Sequence, residues 1–163
     1  MYYYNNGQGR PVNPKTFFKT ISIIFLALFL GQVLFGIVAF FNSKNPKFSL
    51  TSGNDPLFYI VPVFIISCAV IGFLLYKKII GNAVQKTNLA EKLGGYQAAF
   101  IVRSALTEGP SLFSIVGFMV EQNLLFLVLA GLNIVYFISF RPNRLKLEED
   151  LNLSYEDKAE MGF

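Results

Sequence analysis

The feature that most constrains this chain is the length of its apolar blocks: residues 17–41, 57–80, 94–120 and 124–140 are dominated by Phe, Leu, Ile, Val, Ala and Gly. A soluble domain would alternate apolar and polar residues far more often. In hydrocarbon every backbone N–H and C=O has to be satisfied within its own segment, so blocks of this kind become helices. At ~1.5 Å per residue, about 20 residues cross a ~30 Å hydrocarbon core. The predicted fold is all-α, an integral membrane four-helix bundle. Residues 1–16 form a Tyr/Asn/Gly-rich flexible tail, 17–140 the transmembrane domain, and 141–163 a second tail.

The balance of residue types supports that class. The chain has 163 residues, 53% hydrophobic and only 15% charged, which leaves no room for a second sizeable domain. Its net charge of +4 does not read as a nucleic-acid surface, because the Lys and Arg residues flank apolar blocks instead of gathering on a soluble face. His is absent and Cys68 stands alone inside an apolar run, so a disulfide framework, a Cys/His metal site and His-based acid/base chemistry are excluded within one chain. No metal, cofactor or catalytic residue is expected.

The first block exceeds the apolar region of a signal peptide, and no Ala-x-Ala-like site follows it before Asn42 and Ser43. A retained helix is expected. Only Glu121, Gln122 and Asn123 separate the third and fourth blocks, which predicts a tight antiparallel hairpin. Arg141 and Pro142 end the last helix.

Orientation follows from the placement of Lys and Arg. Arg10, Lys15 and Lys19 precede or open the first span; Lys77, Lys78, Lys86 and Lys92 lie at or between the facing ends of the second and third; Arg141, Arg144, Lys146 and Lys158 follow the fourth. The opposite loops hold only Lys44 and Lys47. The positive-inside rule then puts both termini in the cytoplasm of a multi-pass inner (plasma) membrane protein. Residues 81–93 are expected to extend the neighbouring helices. The acidic tail with its spaced leucines is expected mainly as a solvated end, with a short amphipathic helix that docks a partner as the other possibility.

The third span is the only one with formal charges well inside it. Glu108 lies near its midpoint, where a charge costs several kcal/mol. Steps of three or four residues place Ser104, Ser111 and Gln97 on the same stripe, with Thr107 and Ser114 beside it. Gly109 and Pro110 follow the acid. Pro110 cannot donate to the Leu106 carbonyl, so a local kink with a freed acceptor is expected. Arg103 stands about 140° round the helix from Glu108 and is the candidate charge partner, with headgroups or the acidic tail as its other destinations. Gln32 in the first span and Asn133 in the fourth lie at comparable depth. Either could bond to Glu108 or serve as helix-helix glue. Ala105-x-x-x-Gly109 matches the small-xxx-small packing pattern.

The stretch Ala105-Leu-Thr-Glu-Gly-Pro-Ser-Leu-Phe-Ser-Ile-Val-Gly-Phe118 resembles the ion-carrying helix of the rotor-ring (proteolipid) subunits of rotary ATP synthases. In that family a midmembrane acid followed by small and then apolar residues binds the transported proton or sodium ion. The resemblance implies that role for Glu108. It ends there: the second span, LFYIVPVFIISCAVIGFLL, has one glycine where the family has a glycine-repeat helix.

Two functions follow as expectations. The first is a non-enzymatic accessory or structural subunit of an inner-membrane complex, docking other membrane subunits, or a copy of itself, through the small and polar face of the third helix. The second is a small proton- or cation-translocating protein that uses Glu108. A membrane-embedded enzyme finds no nucleophile–base pair in the sequence.

Overall fold

The computed structural model describes residues 14–50 and 56–162; most of the expected N-terminal tail (1–13), positions 51–55 and position 163 lie outside the described residues. Regular structure within them is helical, apart from one parallel bridge between Lys47 and Asn123. In chain order the helices are α1 (Pro14–Asn42), α2 (Leu57–Val84), α3 (Leu89–Glu121), α4 (Leu124–Ser139), α5 (Arg144–Leu151) and α6 (Tyr155–Met161).

The helix ends follow from the local chemistry. α1 starts at a proline, whose fixed φ and missing N–H suit a first turn, and so begins before the expected Phe17. Asn88 caps α3 by accepting the Ala90 N–H at 2.8 Å. Gln122 ends α3 in the left-handed region (φ 53°), and Asn123, in extended conformation, caps α4 by accepting the Leu125 N–H at 3.1 Å. The α1–α2 loop is pinned to that turn. Lys47 donates its N–H to the Gln122 carbonyl and accepts the Leu124 N–H, both at 2.8 Å. Asn123 exchanges two bonds with the Ser49 backbone at 3.2 and 3.1 Å, and Ser43 bonds to the Gln122 side chain. The backbone of the turn is thereby hydrogen-bonded outside any regular helix.

α3 touches each of the other long helices. Phe17 meets Tyr96 and Phe25 meets Phe100 (ring centroids 6.1 and 6.4 Å), while Gly36 faces Ile115 further along, so α1 and α3 run in the same direction. Gly72 lies against Leu106 and Gly95 against Ala83, so α2 runs opposite to α3. Ser114 bonds to the Phe126 carbonyl and Arg103 to Tyr136, so α4 also runs opposite.

α1 and α2 are each long and apolar enough to cross a membrane, and α4 with α5 make a third such unit only if the pair, bent by 70°, counts as one span. The physical reasons are plain. α3 carries Arg103 and Glu108 within its apolar stretch, and the 16 residues of α4 rise only about 24 Å. Ile23, Leu26, Leu30 and Leu34 on α1, and Val63, Ile66, Val70 and Leu74 on α2, turn outward, as befits helices bathed in hydrocarbon.

The C-terminal segment corrects one expectation. It is not a solvated end. Leu147, Leu151, Leu153 and Met161 are buried in one cluster with Phe17, Ile21, Tyr76, Ile80, Leu93 and Tyr96, so the tail folds back under its own helices. It forms two short helices separated by Asn152 in the left-handed region (φ 46°). Lys92 meets Asp157 at 2.9 Å and Lys158 meets Glu148 at 2.6 Å, fastening α6 to α3 and to α5.

Candidate functional site

Two apolar clusters divide the long helices. One gathers Phe17, Ile21, Tyr96, Phe100 and Phe137 at the tail end, and the other gathers Ala39, Val61, Ile115, Phe118 and Phe126 at the far end. Between them lies a polar layer. Ser104, Thr107, Ser111 and Ser114 on α3, Gln32 on α1 and Asn133 on α4 are all buried. The spacing 104, 107, 111, 114 puts these hydroxyls on one face of a helix of 3.6 residues per turn.

Asn133 ties this layer together. Its side-chain amide donates to the Thr107 carbonyl at 2.6 Å and to the Ser111 hydroxyl at 2.8 Å. Thr107 donates to the Arg103 carbonyl at 3.0 Å, and Ser114 crosses to the Phe126 carbonyl at 2.6 Å. Gln32 donates only to its own helix, at the Leu28 carbonyl, which leaves its Oε1 buried without a partner; the Ser104 hydroxyl is likewise unpartnered. Asn133 and Ser114 thus act as interhelical bonds, and Gln32 makes none to α3 or α4 among the described residues.

Glu108 is not in this layer. It is half-buried at the edge of the α3 side whose exposed residues are Ala98, Ile101, Ala105, Gly109 and Val116, and it makes no hydrogen bond or ion pair with any described residue. A Cβ placed on Gly109 would meet nothing within 4 Å. The small residues and the hydroxyl residues, which the sequence grouped on one face, therefore lie on different sides: the hydroxyls turn into the chain, and Ala105 and Gly109 turn out of it. α3 runs without a break through Gly109 and Pro110, and Pro110 is fully buried. Gln97 is half-buried, a turn or more toward the tail end.

Arg103 does not pair with Glu108. Its side chain is 8% exposed and enters a cage of aromatic rings, with its guanidinium carbon 4.1 Å from the Phe140 centroid, 5.2 Å from Tyr76, 5.9 Å from Tyr136 and 6.0 Å from Phe73. Nη2 donates to the Tyr136 hydroxyl at 3.3 Å, and Nε has no partner. Ring faces carry negative potential, so four of them stand in for a counter-ion. Behind Tyr76 the tail begins, for the Tyr76 hydroxyl donates to Asp150 at 2.5 Å. A guanidinium in α3, a tyrosine in α2 and a carboxylate in α5 form one connected cluster.

That cluster was not foreseen from the sequence. Phe73 and Tyr76 at i, i+3 and Tyr136 and Phe140 at i, i+4 were its legible signal, since such spacing presents both rings of a pair to one neighbour. The partner of Tyr76, 74 residues away, had no local signature. Among the described residues no group of three His, Cys, Asp or Glu side chains is placed to hold a metal ion. Comparison with known proteins returns no match, whether to a family model, a curated protein or a solved structure.

Proposed function

We propose that the chain is a four-span inner-membrane protein with both ends cytoplasmic, and that it serves as a non-enzymatic subunit of a larger membrane complex. It docks a partner helix on the Ala105–Gly109 side of α3, with Glu108 at the edge of the contact. The observation that carries this reading is Glu108 itself. A carboxyl group at that depth costs about 2.5–3.5 kcal/mol on insertion scales, and no described residue of this chain hydrogen-bonds or ion-pairs with it. A hydrogen-bond donor on a neighbouring helix removes most of that penalty, and Ala105 and Gly109 let the neighbour's backbone come close.

Ion translocation by Glu108 is the weaker reading. It needs a hydrated route, whereas the polar layer is fully buried and shares no hydrogen bond with Glu108 among the described residues.

The test is co-purification from mild detergent. Glu108→Gln keeps an oxygen acceptor and retains the partner; Gly109→Leu fills the approach surface and loses it. A wild-type chain that purifies alone as a monodisperse species would sink the proposal, and so would a partner that tolerates Gly109→Leu. Cysteine labelling after Cys68→Ala tests the topology: Glu160→Cys should react only in permeabilised cells and Asn45→Cys in intact ones.

A further inference from the structure

Where α4 gives way to α5 the axis turns by 70°, and the bend holds a cavity of about 750 Å3 lined by Phe18, Arg141, Pro142, Arg144, Leu145 and Glu148. Its lining carries two guanidinium groups and one carboxylate. Arg141 is exposed and pairs with no carboxylate among the described residues, and Arg144 lies with its guanidinium carbon 5.6 Å from the Phe18 ring centroid. The one lining carboxylate, Glu148, is held by Lys158 at 2.6 Å and so is already neutralised.

The lining also has apolar members. Leu145 is 73% exposed although its neighbours on α5, Leu147 and Leu151, are buried. Phe18 and Pro142 line the cavity as well. Two guanidinium groups next to an exposed leucine and a ring, at the end of an apolar helix, match a ligand that is anionic at one end and apolar at the other. A free phosphate would use only the arginines and leave Leu145 in water.

We propose that this cavity binds the phosphate of an anionic phospholipid. Arg141 and Arg144 hold the phosphate oxygens, and Phe18 and Leu145 receive the first methylenes of the acyl chains. The shared chemistry is an oxyanion of phosphorus; the exposed leucine assigns its source to a lipid.

The full-length protein in detergent, exchanged against phosphatidylglycerol and phosphatidylcholine, tests this by native mass spectrometry of the retained lipid. Phosphatidylglycerol should be retained over phosphatidylcholine. Retention should fall about tenfold in the Arg141→Gln, Arg144→Gln double variant and stay unchanged in Lys77→Gln, Lys78→Gln, which removes the same charge from another helix end. Arg141→Glu alone, at an exposed position that does not endanger folding, should lower it as well.

Equal losses from the two double variants would overturn the proposal, as would the absence of any preference between the lipids or unchanged retention in Arg141→Glu. Millimolar glycerol phosphate should leave the lipid bound. If it displaces the lipid, the cavity is a soluble-phosphate site and the lipid assignment fails.

Discussion

The Asn133 side chain on α4 donates to both the Thr107 carbonyl, at 2.6 Å, and the Ser111 hydroxyl, at 2.8 Å, on α3. Interhelical bonds of this kind contribute about 0.6 kcal/mol, up to ~1.7, because separated helices also find partners. Asn133→Ala should therefore lower thermal stability in detergent by about 1 kcal/mol. A cycle with Ser111→Ala should show a coupling of roughly half a kcal/mol or more. Strictly additive losses would show that the two side chains do not interact.

Gly94 and Gly95 are neighbours with opposite surroundings. A Cβ at Gly95 would lie 2.5 Å from the Ala83 Cβ, whereas one at Gly94 would meet nothing within 4 Å. Gly95→Ala should push α2 and α3 apart and destabilise by about 1–3 kcal/mol. Gly94→Ala should be neutral or mildly stabilising, since alanine is the better helix former. The comparison is read from the melting temperatures of the two variants; equal values would refute the close approach of these helices.

The docked tail carries a pH signature. Burial by itself raises the Asp157 carboxyl, but the Lys92 ammonium at 2.9 Å and the Ser154 backbone N–H and hydroxyl outweigh it and hold the group below its ordinary value of 3.8. A depressed folded-state value gives stability that is complete above the unfolded value and is lost as pH falls through the folded one. The tail should stay docked from neutral pH down to about pH 4 and loosen only below it. Asp157→Asn should loosen it at neutral pH by about 1 kcal/mol. Amide exchange in α6 reports both. Release of the tail between about pH 7 and pH 5 would contradict the sign of this argument.

The placement of the long helices was legible because hydropathy blocks of this length have few alternatives in water or lipid. Which side of α3 turns inward was not. Ser104, Thr107 or Glu108, and Ser111 are all compatible with one stripe at steps of three and four, and Asn133 decides the matter by bonding Thr107 and Ser111, leaving Glu108 at the edge. Arg103 misled for a related reason. A charge in a span suggests a carboxylate partner, yet four rings from α2, α4 and the Phe140 that caps α4 surround it, and no single segment carries that pattern. In the tail, the spacing of Leu147 and Leu151 announced an amphipathic helix but not its dock, because Phe17, Tyr76 and Leu93 are brought together only by the packing of α1, α2 and α3.

The central claim is that the Ala105–Gly109 side of α3 is covered by a helix of another protein. Photo-crosslinking in intact membranes tests it directly, with a benzophenone side chain in place of Ile101 or of Val116, exposed on that side of α3 above and below the small residues, or of Leu30 on the outward side of α1. One discrete adduct of a different polypeptide from positions 101 and 116, and none from position 30, is the predicted result. Adducts to lipid alone, to a second copy of this chain, or equally from all three positions would contradict it.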